Sequence, residues 1–372
     1  MSCPFDLKNK RQVIKFEEID PYNPQNTVKG YINRRQGQLY GALYITHVNG
    51  KRKYQLIYSA PKQHYPFDKN KNWEFPEYDY VQLYEKLDGT CIIKYRYTDG
   101  KKWYHTYKTR LRPFLGTSKY GNFFQLWNEM LDKYPIIRKE CEQSGDYNYV
   151  FELYGKRNKI LIDYNVSLDT KLLFIIDGHG NILPPNNCHG VKVPTLIGWD
   201  EEIGIESEDY INWQNKLENS LEIDEENQIM KGKEGLVWYF IKGDYAKQIK
   251  CKPPSVLKYH WSGDSIAYES IYTTVYNAFE NFDEPTYDDV VSLLQEEFTE
   301  DKIEKSRKRI ENVLGKVLFD KKFLAKLEID YKEQGFDINK DKVTCMRWFG
   351  NNYPKSEAKR IYQLLKRYEE EK

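Results

Sequence analysis

The sequence predicts an α+β fold, an antiparallel-sheet domain followed by an all-α domain, and three observations predict it. Short aromatic and β-branched runs pair across tight turns: Leu39–Val48 and Tyr54–Tyr58 around Asn49-Gly50, Cys91–Tyr97 and Trp103–Thr109 around Thr98-Asp99-Gly100, and Gly235–Phe240 and Tyr245–Cys251 around Lys242-Gly243-Asp244. Past Ser262-Gly263-Asp264 the apolar period changes from two to about 3.6 residues, the repeat of a helix face. No apolar run approaches the ~18 residues of a membrane helix. The expected domains are 1–262 and 263–372.

Taken in order, residues 10–60 read as β structure, and Pro61, Pro66 and Pro76 then break a polar, aromatic stretch into loops. Phe123, Phe124, Trp127, Met130, Leu131 and Tyr134 recur at helical spacing and predict a helix over Asn122–Ser144. Tyr149–Leu153, Lys159–Tyr164 and Leu172–Asp177 read as strands, and the acidic stretch Glu206–Asn227 as a surface helix or insertion. In the second domain helices are expected over Ile266–Phe279, Tyr287–Phe298, Lys302–Leu318 and Ala358–Tyr368, the last carrying Ile361, Leu364, Leu365 and Tyr368 on one face.

Composition excludes several classes. With 372 residues, 15% aromatics and 32 Tyr, the chain is neither disordered nor of low complexity. Met1-Ser2-Cys3-Pro4 does not open a signal peptide, and six scattered cysteines without a C-x-x-C pair fit a reduced cytoplasmic protein without structural zinc. Cys188-His189 with His179 lacks a fourth metal ligand at sensible spacing. The net charge is only +1, but residues 51–110 hold 13 Lys and Arg against 7 Asp and Glu, a local balance that focuses an anionic ligand.

That basic stretch surrounds Glu85-Lys86-Leu87-Asp88-Gly89-Thr90. A lysine is mostly protonated at neutral pH and becomes a nucleophile when other cations or partial burial ease its deprotonation. Lys86 stands at the mouth of a strand, a rigid mount for such a group. Tyr107-Lys108-Thr109-Arg110 ends the second hairpin and returns Arg110 beside Lys86, where its planar fork can clamp a phosphate. Phe151-Glu152-Leu153 places a carboxylate before a basic, Gly-containing turn, and Glu234-Gly235-Leu236-Val237 places another at a strand start. Lys250 and Lys252, two apart on a strand, face one side and can grip one phosphate together.

This ordered set resembles the covalent nucleotidyltransferase superfamily of polynucleotide ligases and capping enzymes, with an ATP-grasp-like ligase domain. Within it the chain is most similar to the ATP-dependent RNA ligases of bacteriophages that reseal tRNA anticodon loops. That similarity rests on Phe151-Glu152 followed by Asn158-Lys159-Ile160-Leu161, on Tyr107-Lys108-Thr109-Arg110, on a nucleophile some 85 residues into the chain and on the helical tail. The chain has Tyr40-Gly41 where the family type has Arg-Gly, so Arg34 or Arg35 substitutes, and Lys62 or His64 stands for a further family lysine.

The resemblance implies attack of Lys86 on the α-phosphorus of ATP, transfer of AMP to an RNA 5′-phosphate, and sealing by a 3′-hydroxyl. It implies phosphate contacts from Lys62, Arg110, Lys250 and Lys252, and Mg²⁺ or Mn²⁺ held by Asp88, Glu152 and Glu234. Glu152 has a second role open to it on the ribose hydroxyls, and Phe174 either stacks on adenine or fills the core. The expected partners are ATP and a single-stranded RNA or tRNA, with no membrane, for a monomer in the cytoplasm (of the host, if viral). Arg347, Lys355, Lys359, Arg360, Lys366 and Arg367 of the tail either bind RNA backbone or form a solvated face. The alternatives are a nicked-duplex RNA or DNA ligase and a non-catalytic RNA-binding relative. The helical pattern after Asp264 argues against the small β-barrel that follows the fifth motif in DNA ligases and capping enzymes.

Overall fold

The computed structural model describes residues 2–370 apart from 10–11, 36, 68–71, 119–120, 144, 159–161, 186–189, 200–204, 225–228, 256–265, 267, 296–297 and 299. The start of the strand expected at Lys159, the Cys188-His189 pair and the 262/263 boundary lie outside the described residues.

Strands β1 (Val13–Asp20), β2 (Asn23–Asn33), β3 (Leu43–Val48) and β4 (Lys51–Ile57) form one antiparallel meander. The β3–β4 turn is built at Asn49 and Gly50, with φ of 52° and 76°, the left-handed pair a tight hairpin needs. Then come β5 (Tyr80–Lys86), β6 (Thr90–Thr98), β7 (Trp103–Thr109), the ribbon of β8 (Thr117–Ser118) and β9 (Gly121–Asn122), β10 (Asn148–Tyr154), β11 (Asp169–Ile176), β12 (Ile182–Leu183) and β13 (Leu196–Trp199). A second ribbon, β14 (Glu222–Asp224) with β15 (Ile229–Lys231), precedes β16 (Gly235–Lys242) and β17 (Tyr245–Cys251). The acidic stretch thus holds a helix, α3 (Ser207–Glu218), and that ribbon.

Nine strands form one sheet in the order β13-β5-β16-β17-β12-β11-β10-β6-β7. The predicted hairpins are its β6–β7 and β16–β17 pairs. Consecutive strands β5 and β6 stand far apart in that order, so Leu87-Asp88-Gly89 crosses from one arm of the sheet to the other. The arms face each other: Tyr84, Val237 and Tyr239 of β5 and β16 share a buried cluster with Ile93, Val150 and Phe174 of β6, β10 and β11. On the outside of one arm, α1 (Phe123–Lys133) and α2 (Pro135–Gln143) bury Trp127, Met130, Leu131, Ile137 and Cys141 against Ile92, Phe151, Leu153 and Leu172. On the outside of the other, Tyr210 and Leu217 of α3 cover Leu83, Leu236, Trp238 and Cys251.

The single helix expected over 122–144 is two. Tyr134 leaves helical geometry (φ −128°, ψ 74°) because Pro135 disfavours α conformation in the residue before it and supplies no N–H.

Helices α4 (Tyr268–Asn281), α5 (Tyr287–Leu294) and α6 (Glu300–Lys305) follow. The compact division of the chain falls at Arg307, giving units Met1–Arg307 and Lys308–Lys372, beyond the change of composition near 263. The reason is that α4 and α5 are tied to the sheet domain. Arg34 pairs with Asp289 at 3.4 Å and lies over the Phe282 ring at 4.3 Å, and Arg112 pairs with Asp283 at 2.8 Å. The helix expected over 302–318 is interrupted at Ser306, whose hydroxyl donates to the Lys302 carbonyl and accepts the Ile266 N–H. In the second unit α7 (Arg307–Glu333), α8 (Lys342–Asn352) and α9 (Ala358–Glu370) enclose Leu327, Tyr331, Cys345, Phe349, Ile361 and Leu365. No helix is long and apolar enough to cross a membrane among the described residues.

Candidate active site

Lys86 is the last residue of β5 and stands opposite Gly235, the first of β16. That register brings Glu234 to the nucleophile: Lys86 Nζ donates to Glu234 Oε2 at 2.6 Å, and Lys252 Nζ lies 2.9 Å from Oε1. One carboxylate thus bridges two lysines. Burial alone would raise Glu234, but Lys252 and Lys86 overcome it and hold the carboxyl down at about 2. The two lysines thus favour the ionised form of Glu234, which holds Lys86 by its carboxylate.

The crossing loop is clamped. A Cβ on Gly89 would stand 2.1 Å from the Leu153 carbonyl oxygen, so only glycine lets the loop lie against β10. The Asp88 N–H donates to the Tyr164 hydroxyl at 2.8 Å, and the Asp88 carboxylate accepts the Ile162 N–H at 2.7 Å. Asn158 locks the other side by donating to the Leu153 carbonyl at 2.6 Å and to Thr90 Oγ1 at 3.0 Å. Asp88, expected as a metal ligand, thus spends one oxygen on the fold.

Glu152 faces the same space, opposite Cys91 of β6 and Lys171 of β11. Burial pushes its carboxyl up to about 8, against Lys86 and Arg110, which pull it down. A raised carboxyl makes a definite prediction. The unfolded chain ionises this group near 4.5 and the folded one only near 8, so its stabilising contribution is full below pH 4.5 and is lost as pH rises through 8. Glu152→Gln keeps the neutral shape. It is expected to melt higher than wild type at pH 8 and the same at pH 4.5, and an equal shift at both values contradicts the assignment.

Arg110 is held from below by Lys108, to which its motif alone gives no separate role. Lys108 is fully buried and its ammonium donates to the Arg110 carbonyl at 2.8 Å, the Gly41 carbonyl at 3.0 Å and Ser59 Oγ at 3.2 Å. Burial lowers it to about 7. Gly41, at φ 76°, could not carry a side chain, because a Cβ would meet the Arg110 carbonyl oxygen at 2.4 Å. The Tyr40-Gly41 turn is therefore the floor under Arg110. The signal was present in the alternation Thr106, Lys108, Arg110, which puts Lys108 on the Arg110 face.

Lys250 and Lys252 are both buried but differently engaged. Lys252 pairs with Glu234, whereas Lys250 Nζ sits 4.3 Å from the centre of the Tyr65 ring, and the Lys250 backbone N–H donates to the His64 carbonyl at 3.0 Å. Burial, then Lys62 and Lys250, lower His64, so both lysines stand within electrostatic reach of that imidazole. Arg34 is engaged by Asp289, and Arg35 is exposed. Phe174 is 3% exposed and packs in one cluster with Ile93, Val150 and Val237.

Among the described residues no group of three or more His, Cys, Asp or Glu side chains gathers as a metal cage. The donor set still fits Mg²⁺ or Mn²⁺ as they usually bind nucleotides, through one or two carboxylates plus phosphate and water. Glu152 is the suitable donor, since its buried carboxyl is only partly compensated by Lys86 and Arg110.

No family model and no curated protein matches the chain. Among solved structures, an archaeal ATP-dependent RNA ligase is similar at 14% identity and TM-score 0.46, over 88% of this chain and 82% of that one. A putative ATP-dependent DNA ligase from Aquifex aeolicus gives 13% and 0.45, over 88% and 78%. A Naegleria gruberi RNA ligase variant with ATP and Mn gives 11% and 0.34, over 66% and 95%. All three lie below a TM-score of 0.5, so function is argued from the side chains.

Proposed function

We propose that the chain is an ATP-dependent RNA ligase that carries AMP on Lys86. The observation that supports this most is the bridge Lys86–Glu234–Lys252 at the crossing between two facing arms of the nine-stranded sheet, with Glu152 and Arg110 in electrostatic contact. A lone surface lysine has no such surroundings.

The chemistry follows from the charges. Deprotonated Lys86 forms an N–P bond to the α-phosphorus of ATP as the P–O bond to pyrophosphate breaks, and the nitrogen sheds one proton and keeps the other, leaving an N–H phosphoramidate. Arg110, Lys250 and Lys252 meet the phosphate charge, and fixed cations need little reorganisation as it develops. Bound Mg²⁺ or Mn²⁺ would polarise the α-phosphate and offset its charge. The RNA 5′-phosphate oxygen then displaces Lys86 from phosphorus, giving an RNA 5′-adenylate. Finally the 3′-hydroxyl attacks that 5′-phosphate, loses its proton and expels AMP.

The RNA is single-stranded or a broken tRNA anticodon loop, and the protein is a monomeric repair enzyme of a bacteriophage, acting in the host cytoplasm. The exposed Arg347, Lys355, Lys359 and Lys366 of the second unit support a contact with RNA backbone, whereas Arg360 is committed to Asp320 at 3.0 Å. Incubation with ATP, Mg²⁺ and 5′-phosphorylated single-stranded RNA tests the proposal. Circular or joined RNA is expected. Sealing confined to nicked duplexes, or protein labelling from GTP and not ATP, contradicts it.

A further inference from the structure

The peptide between Arg110 and Leu111 lies just past the end of β7, outside a ladder whose last pair is Ile92 with Thr109. Its two polar groups are nonetheless both engaged, by groups from outside that ladder. The Arg110 carbonyl accepts from the Lys108 ammonium at 2.8 Å, and the Leu111 N–H donates to Asn281 Oδ1 at 3.3 Å. A peptide unit is planar, so holding its oxygen and its N–H from two sides fixes its rotation. The direction in which the Arg110 side chain leaves the backbone is fixed with it. The same Asn281 oxygen accepts the Thr109 hydroxyl at 3.4 Å, so one amide reaches both neighbours of Arg110. That direction matters to the site, because the Arg110 guanidinium acts on the Glu152 carboxyl.

Asn281 is the last residue of α4 and stands 170 positions from Leu111 in the chain. Its own place is secured. The amide nitrogen donates to the Asn277 carbonyl at 3.4 Å, one turn back, which leaves the oxygen turned away from the helix. Past it, Asp283 pairs with Arg112 at 2.8 Å, Phe282 lies under the Arg34 guanidinium at 4.3 Å, and Asp289 pairs with Arg34 at 3.4 Å. The end of α4 is thus tied to the sheet domain on both sides of the bond it makes to Leu111.

We propose that Asn281 is a positioning residue for Arg110, so that the end of α4 belongs to the nucleotide site although it lies outside the sheet. The inference rests on the reading of Arg110 as a phosphate contact in the step that loads AMP on Lys86. Without the Asn281 oxygen, the buried Leu111 N–H loses its acceptor, the peptide gains freedom to turn, and Arg110 meets the phosphate in fewer of its orientations.

The test is a double-mutant cycle on the full chain, read as the rate of Lys86 labelling from α-labelled ATP below saturation and, in parallel, as ATP affinity. Asn281→Leu is close in size and has no acceptor. It should label about 10-fold more slowly than wild type, the effect of losing one buried hydrogen-bond partner. Asn281→Asp keeps an acceptor in the same place and should return to within about threefold of wild type. In an Arg110→Ala background Asn281→Leu should cost nothing further, because residues that act through one another do not add. Thr109→Val removes only one of the two bonds, and it reads the same coupling should Asn281→Leu melt lower. Its loss should be smaller than that of Asn281→Leu and should also vanish without Arg110. Wild-type labelling by Asn281→Leu overturns the inference. So does an equal loss in the Leu and Asp variants, or a loss of the same factor with and without Arg110. Labelling that Arg110→Ala leaves intact overturns it too, while the carrier role of Lys86 stands. If the wild type binds ATP and forms no adduct, the carrier role falls, and the cycle in ATP affinity decides the role of Asn281. Absence of ATP binding by the wild type overturns both.

Discussion

Lys86→Ala protein should join no RNA from ATP, yet should still seal RNA already bearing a 5′-adenylate. The nitrogen of Lys86 is needed only to hold AMP between ATP and RNA, and alanine offers no nucleophile. Once AMP is on the RNA, sealing depends on the pocket of Arg110, Glu152, Lys250 and Lys252, which the substitution leaves in place. The expected loss in the ATP-dependent reaction is complete, and the pre-adenylated reaction should proceed within about 10-fold of wild type, since the missing side chain touches only the edge of the step. Gel assays of the two substrates side by side check it. Equal loss on both substrates would mean that Lys86 is structural.

Glu234→Gln carries the second large effect, and this one reaches stability as well as activity. A buried anion bridging Lys86 and Lys252 is replaced by a neutral amide that cannot compensate either cation. Leaving buried charges unpaired typically costs about 3–5 kcal/mol. AMP transfer should fall by about 100-fold or more, as when one preorganised electrostatic partner is removed from a reaction centre. The pH dependence has a definite sign. A carboxyl lowered from 4.5 to about 2 contributes its stability fully above pH 4.5 and loses it as pH falls toward 2. The deficit of the variant in chemical denaturation should therefore be widest near neutral pH and should narrow in acid. A deficit that does not change with pH would mean that packing, and not charge, explains the loss.

These expectations show which parts of the molecule were legible in the sequence. The hairpins around Asn49-Gly50, Asp99-Gly100 and Gly243 were readable because each turn is local and its residues specify it. The grouping of Lys86, Glu234 and Lys252 was readable because each stands at a strand end, where a short motif fixes position, while Glu152 lies two residues inside the end of β10. What was not readable depended on long-range partners. The fold, and not the motif, gives Asp88 its bond to Ile162 and Lys108 its three acceptors, two of them more than 40 residues away. The compact boundary at Arg307 was hidden because Asn281, Asp283 and Asp289 look like ordinary helix polar residues until Thr109, Arg112 and Arg34 are seen beside them. The break at Tyr134-Pro135 could have been read directly, since proline ends a helix at the residue before it.

The central claim is that Lys86 forms a covalent bond to AMP, and peptide mapping by mass spectrometry after incubation with ATP and Mg²⁺ tests it most directly. One AMP per chain is expected, on the peptide containing Glu85-Lys86-Leu87, through an acid-labile phosphoramidate that pyrophosphate discharges. An adduct on another residue, or none under conditions where ATP binds, would contradict it.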